Sequence, residues 1–139
     1  MTWIHILLAV LAGGFVASLT DWLFMGDLLY KRFNPHPEIW RFVPDKSGHG
    51  LTETKAIAWS TPLPFLTCAV FALLCARLGL HSISATMELA LAIWLIAPLP
   101  LLIVHALFMK LHPAIVTSYC LGWLVKLLVS ASAVTLILR

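Results

Sequence analysis

Four long stretches of the chain are almost free of polar side chains, and short polar segments separate them. They run from about 3 to 30, 56 to 78, 83 to 109 and 113 to 138. A helix needs ~20 apolar residues to cross the hydrocarbon core of a bilayer, and each stretch meets that length. Only helices and closed barrels satisfy the backbone in lipid. These runs are too long and too continuously apolar for barrel strands. The pattern therefore predicts an all-α integral membrane bundle of four transmembrane helices, connected up-down-up-down. One transmembrane domain fills 1–139, with a polar loop over 31–55.

The punctuation agrees. Lys31 to Thr54 is polar and rich in proline. Arg77-Leu78-Gly79-Leu80-His81-Ser82 reads as a tight turn, with Gly79 as the helix C-cap. Lys110-Leu111-His112-Pro113 is a second turn, and Pro113 is placed to start a helix. Pro-Leu-Pro occurs at 62–64 and again at 98–100, inside the second and third spans. Each removes backbone donors and predicts a kink. Paired breaks can mark a transporter built from repeats, but the residues around the two sites are ordinary apolar ones, which favours packing kinks. In the loop, Asn34 to Phe42 reads as a turn followed by a short interfacial helix, with Trp40 at headgroup level.

Composition sharpens this picture. Hydrophobic residues make up 61% of the chain and charged residues 11%, whereas soluble domains average ~45–50% and ~25%. Little sequence is left for a soluble catalytic domain. The net charge of +3 does not point to nucleic acid, because the basic residues lie mostly between apolar segments. There they act as topology signals. Lys31, Arg32, Arg41, Lys46, Lys55 and Lys110 fall on one side, and Arg77 and Arg139 on the other, six against two. That bias puts the first and third connections in the cytoplasm and both termini outside. The start Met1-Thr2-Trp3-Ile4-His5 lacks a basic leader region, so the first span is expected to remain uncleaved. Cys68, Cys75 and Cys120 sit in apolar runs and read as small core or lipid-facing residues. Cys68 and Cys75 lie ~10 Å apart along one helical face, too far for a disulfide.

The candidate chemistry lies in the polar residues that interrupt the spans. Asp21, Asp27, Glu88, His105 and Lys126 are ionisable groups in membrane-spanning stretches. Each costs ~2.5–3.5 kcal/mol in hydrocarbon, so such groups normally face a bundle interior or a wet cavity. Ala9, Gly13, Ala17 and Asp21 form a four-residue stripe, with Gly14 and Ser18 beside it. Small residues at this spacing let helices approach closely, so the stripe marks a buried face that ends on Asp21. Asp27 is nearer the interface and reads as a water-reaching carboxylate. Taking ~1.5 Å rise per residue, Asp21 lies ~12 Å and His105 ~6 Å from the cytoplasmic ends of their spans, which makes them plausible neighbours. Lys126 is nearer mid-membrane, within reach of either Asp21 or Glu88 through its flexible stem.

Three readings follow. The charged groups can be pairs that hold four helices in register, a proton or substrate path, or acid/base groups of an enzyme acting on a lipid or quinone. His36 and Glu38, near the headgroup level, are the acid/base groups that an enzyme would use, and with Trp40 they make up the candidate loop site. The structural and transport readings rank above catalysis, because no substrate cavity can be read from sequence. His36, Glu38, His49, His105, His112 and Asp27 map to the cytoplasmic side, but no HExxH, HxxxH or Cys/His cluster exists. No metal and no cofactor is therefore expected. His105 has no partner His at matched depth for haem. The expected partners are the bilayer and further copies of the chain, in a dimer or trimer.

The stretch Gly13-Gly14-Phe15-Val16-Ala17-Ser18-Leu19-Thr20-Asp21-Trp22-Leu23-Phe24-Met25-Gly26 is followed by Tyr30-Lys31-Arg32-Phe33 and His36-Pro37-Glu38-Ile39-Trp40-Arg41. Together they resemble the opening of a bacterial inner-membrane family known as domain of unknown function 1761. The similar segment covers the first third of the chain, and the rest agrees in hydropathy alone. The resemblance implies a small four-span protein of the bacterial inner membrane and no particular activity. It favours Asp21, Trp22, Gly26, Pro37, Glu38 and Trp40 as residues to test.

Overall fold

The computed structural model describes residues 3–27, 53–109 and 111–138. The described residues are helices joined by short turns, with no strand among them. Helix α1 covers Trp3–Asp21 and continues into a π-helical segment, Trp22–Asp27. Helices α2 (Glu53–Ser60) and α3 (Leu63–Leu78) follow, then α4 (Ile83–Ile96) and α5 (Pro98–Phe108), and finally α6 (Pro113–Leu138). They make four helical rods long and apolar enough to cross a membrane: Ile4–Gly26, Thr54–Leu78, Ile83–Phe108 and Pro113–Ile137. We call these spans 1 to 4. The architecture is that of a multi-pass membrane protein. The short interfacial helix expected after Asn34, with Trp40, lies outside the described residues.

The two Pro-Leu-Pro sites kink their spans, and i→i−4 hydrogen bonds resume on both sides of each. Span 2 is interrupted at Thr61-Pro62, where the Thr61 N–H and hydroxyl both donate to Ile57 O at 2.9 and 2.7 Å. Span 3 is interrupted at Ala97, with φ −120° and ψ −69°. Span 1 loosens into the π-helical segment, and span 4 alone is one uninterrupted α-helix. The turn between spans 2 and 3 forms as expected. Gly79 takes the left-handed conformation at φ 66°, and Leu80 N–H returns to Cys75 O at 2.9 Å. Ser82 then caps α4 by accepting from Ala85 N–H.

Span 4 is the hub. It packs against span 1, span 2 and span 3, and span 1 also packs closely on span 2. The main buried cluster unites Ala9, Phe71, Ala72, Cys75, Ala90, Leu127, Ala131 and Val134. These residues come from the start of span 1, the end of span 2, the start of span 3 and the end of span 4. All four spans therefore close tightly at the end bearing Trp3 and Leu138, hereafter the upper end. At the opposite, lower end, span 2 leaves the bundle beyond Pro62. Its side chains from Thr54 to Leu63 are exposed, Ala56 excepted.

Small residues set the contact between spans 1 and 4. Ala9 and Ala17 are fully buried. A Cβ added at Gly13 would stand 3.2 Å from Ala133 Cβ and 3.4 Å from Cys68 Sγ. The stripe is thus the buried face of span 1, as its spacing predicts. Hydroxyls tie the other contacts. Thr86 Oγ1 lies 2.7 Å from Thr135 Oγ1 in the upper core, joining span 3 to span 4. Double-mutant cycles place such links in membrane bundles near ~0.6 kcal/mol. Thr86→Val keeps the volume and removes the hydroxyl, so it is expected to destabilise by about that amount. A thermal-shift series on purified protein checks it, and a loss of several kcal/mol would show that the hydroxyl does more than join two helices.

Candidate functional site

Asp21 and Lys126 meet. Lys126 Nζ stands 2.6 Å from Asp21 Oδ2. Lys126 is 3% exposed, although its residue type is almost never buried without a partner. The partner is supplied by the last α-helical residue of span 1, at the foot of the small-residue stripe. The ammonium also lies 4.2 Å from the centroid of the Trp123 ring, one turn before it on the same helix. Such a contact is worth ~0.5–2 kcal/mol, the upper value in desolvated sites. The carboxylate is less fully satisfied. Its second oxygen, Oδ1, is buried and has no hydrogen-bond partner among the described residues.

The surroundings are polar on the side facing span 2 and aromatic towards the lower end. Ser130, one turn above Lys126, donates to the Lys126 carbonyl at 2.9 Å. Its hydroxyl also contacts Cys68 Sγ at 2.9 Å. A hydroxyl has one proton to give, so the Cys68 thiol is the donor to Ser130. Tyr119, Trp123, Lys126 and Ser130 follow a 4-3-4 spacing, which places all four on one face of span 4.

The π-helical segment belongs to the site. Phe24 O accepts a hydrogen bond from the Ser118 hydroxyl of span 4 at 2.7 Å. One carbonyl of the segment therefore faces span 4 and bonds outside its own helix. Gly122 makes room for it, since a Cβ there would stand 3.0 Å from Phe24 Cβ. π-helical turns are rare and occur frequently at functional sites.

The other sequence candidates do not join the pair. Glu88 lies exposed on α4, and His105 is half-buried on α5. Neither side chain has an ion pair or hydrogen bond among the described residues. The expected Asp21–His105 proximity does not appear as a bond, and Lys126 selects Asp21 over Glu88. Asp27 ends the π-helical segment, and its side chain lies outside the described set. His36, Glu38 and Trp40 lie outside the described residues as well. Among those described, no three His, Cys, Asp or Glu side chains converge as a metal site. Trp123, Ser118 and the Cys68–Ser130 bond escaped sequence reasoning. The 4-3-4 spacing through Lys126 was the signal that could have found Trp123 and Ser130.

Comparison with protein-family models, curated proteins and solved structures finds no match to this chain.

Proposed function

We propose that this protein is a small transport or permeation subunit whose titratable gate is the Asp21–Lys126 pair. One observation carries the reading. A buried ion pair leaves one carboxylate oxygen without a partner among the described residues, at the point where span 1 gives up regular α-helix. A pair that served only to lock helices would gain from satisfying both oxygens, because an unmet buried acceptor costs ~1–3 kcal/mol. Discontinuous spans support the same reading, since broken helices line the binding sites of many transporters. Two of the four spans here are interrupted at Pro-Leu-Pro, and a third passes into π-helix. The resemblance in the first third supports a place in the bacterial inner membrane. The Lys/Arg bias supports cytoplasmic first and third connections. The outer face of span 3, turned away from its contact with span 4, suits a further copy of the chain in a dimer or trimer.

The second reading is a helix-locking pair in a structural or partner-binding protein, favoured by the depth of Lys126 and its Trp123 contact. Proton flux separates the two. The purified protein is placed in vesicles containing a pH-sensitive dye, and a potassium diffusion potential is imposed. Wild type is expected to carry protons above the rate of empty vesicles. Asp21→Asn is expected to fall to that rate when flux is normalised to folded, inserted protein. Flux no greater than that of empty vesicles from the wild type would overturn the transport reading and leave the structural one.

A further inference from the structure

We infer that the chain pairs with a second copy of itself through the outer faces of spans 2 and 3, Arg77 meeting the partner's Glu88 and Glu88 the partner's Arg77. The further copy proposed above thereby gains defined faces and charges, and the pairing stands apart from the transport reading. Helix α3 holds one charged residue, Arg77, and α4 holds one of opposite sign, Glu88. Val70, Leu73 and Arg77 are exposed along span 2, and Glu88, Leu91 and Leu95 along span 3. Each trio follows a 3-4 spacing and so lies on one helical face. Neither Arg77 nor Glu88 has an ion pair or hydrogen bond among the described residues. The two spans share a tight turn, yet each packs on span 4 and neither packs along the other.

The charges match in depth. Span 2 rises to the upper end and span 3 descends from it, so the outer face of one copy's span 2 runs antiparallel to the other copy's span 3. With Leu78 and Ile83 level, Arg77 lies ~1.5 Å and Glu88 ~7.5 Å below them. Side chains lean towards the N-terminus of their own helix. Arg77 therefore leans down and Glu88 leans up, and the long arginine stem covers the ~6 Å between their levels. Ionisable groups on membrane helices normally pair with one another. A second copy supplies both complements at the right depth and needs no other protein. A two-fold axis along the membrane normal keeps both copies in one orientation and makes each contact reciprocal. Two guanidinium–carboxylate pairs form, a geometry that favours bidentate bonds.

The test mixes charge-reversed copies. Full-length wild type, Arg77→Glu, Glu88→Arg and the double reversal are labelled at the amino terminus with donor or acceptor dye. They are reconstituted at high dilution in phosphatidylcholine vesicles, and energy transfer reports pairing. Wild type is expected to pair with itself. Each single reversal sets like charges opposite one another and is expected to self-associate at least ~10-fold more weakly. Arg77→Glu mixed with Glu88→Arg regains both opposite-charge contacts and is expected to pair as wild type does. The double reversal is expected to pair with itself and not with wild type. Misfolding cannot produce pairing that returns only in the mixture. Wild type that stays monomeric would leave both faces to lipid and overturn the inference. Single reversals that self-associate as wild type does would also overturn it. So would a mixture that pairs no better than its components, even if the double reversal regained thermal stability, since the ion pair would then form within one chain. Monomeric wild type that still carries protons would sink the pairing and keep transport. Charge-matched pairing without flux would do the reverse.

Discussion

Asp21→Asn and Lys126→Met are each expected to destabilise the detergent-solubilised protein by about 3–5 kcal/mol, and the double variant by much less than either. The reasoning starts from desolvation. Lys126 is 3% exposed, and its charge is tolerated there because Asp21 Oδ2 stands 2.6 Å away. Removing the carboxylate strands an ammonium inside the bundle. The Trp123 ring offsets only ~0.5–2 kcal/mol of that loss. Removing the ammonium strands a carboxylate instead, but the Asp21 side chain is 22% exposed, so its charge is less completely desolvated. The two single losses should therefore differ, with Asp21→Asn the larger. In the double variant no charge remains to be stranded, and methionine fills much of the lysine volume in an apolar core.

Chemical denaturation in mixed micelles, run on all four proteins, gives the coupling energy directly. A favourable coupling of several kcal/mol, with the asymmetry just described, supports a desolvated pair. Additive losses, or a double variant as unstable as the worse single one, would show that the side chains act separately. The same variants serve the vesicle assay, so stability and flux can be compared residue by residue. A pair that is only structural would lose flux in proportion to folded protein. A gate would lose flux in the double variant even where stability returns.

Much of the frame was legible in the sequence because the bilayer imposes a simple rule. Length and apolar continuity decide what can span, and Gly79, Pro113 and the two Pro-Leu-Pro sites punctuate the chain where the structure turns or breaks. The buried face of span 1 was legible too, since small residues at four-residue spacing have few other uses in a membrane helix. The site was legible as a set of candidates. Which of them meet was not, because neighbours across a bundle depend on how each helix is rotated about its axis. Lys126 had two carboxylates within plausible reach, and helix rotation gave it Asp21. Glu88 shares α4 with Thr86 and Ala90 but not their face, so it points away from span 4. The π-helical segment could not be foreseen, since the one weak helix former in Trp22 to Asp27, Gly26, does not distinguish a π turn from a helix end. It is held by span 4, through Ser118 and Gly122.

That dependence on close approach leads to the second large effect. Gly13→Leu is expected to destabilise by about 3 kcal/mol, the upper end of overpacking costs, and to separate Asp21 from Lys126 as well. The first added atom, Cβ, would stand 3.2 Å from Ala133 Cβ. An alanine Cβ cannot rotate out of the way, because it is fixed to its backbone. Cys68 Sγ, 3.4 Å away on the other side, is held by its bond to Ser130. Room for three further carbons can come only from moving span 1 away from spans 2 and 4 together. Asp21 lies two helical turns below Gly13 on the same face, so the displacement reaches the pair. A Gly13→Leu/Lys126→Met variant isolates that part. If the ion pair is already lost in Gly13→Leu, adding Lys126→Met should cost far less than it costs the wild type. If Lys126→Met costs the same in both backgrounds, the small-residue stripe and the charged pair are independent, and span 1 yields locally around Gly13 without carrying Asp21 with it.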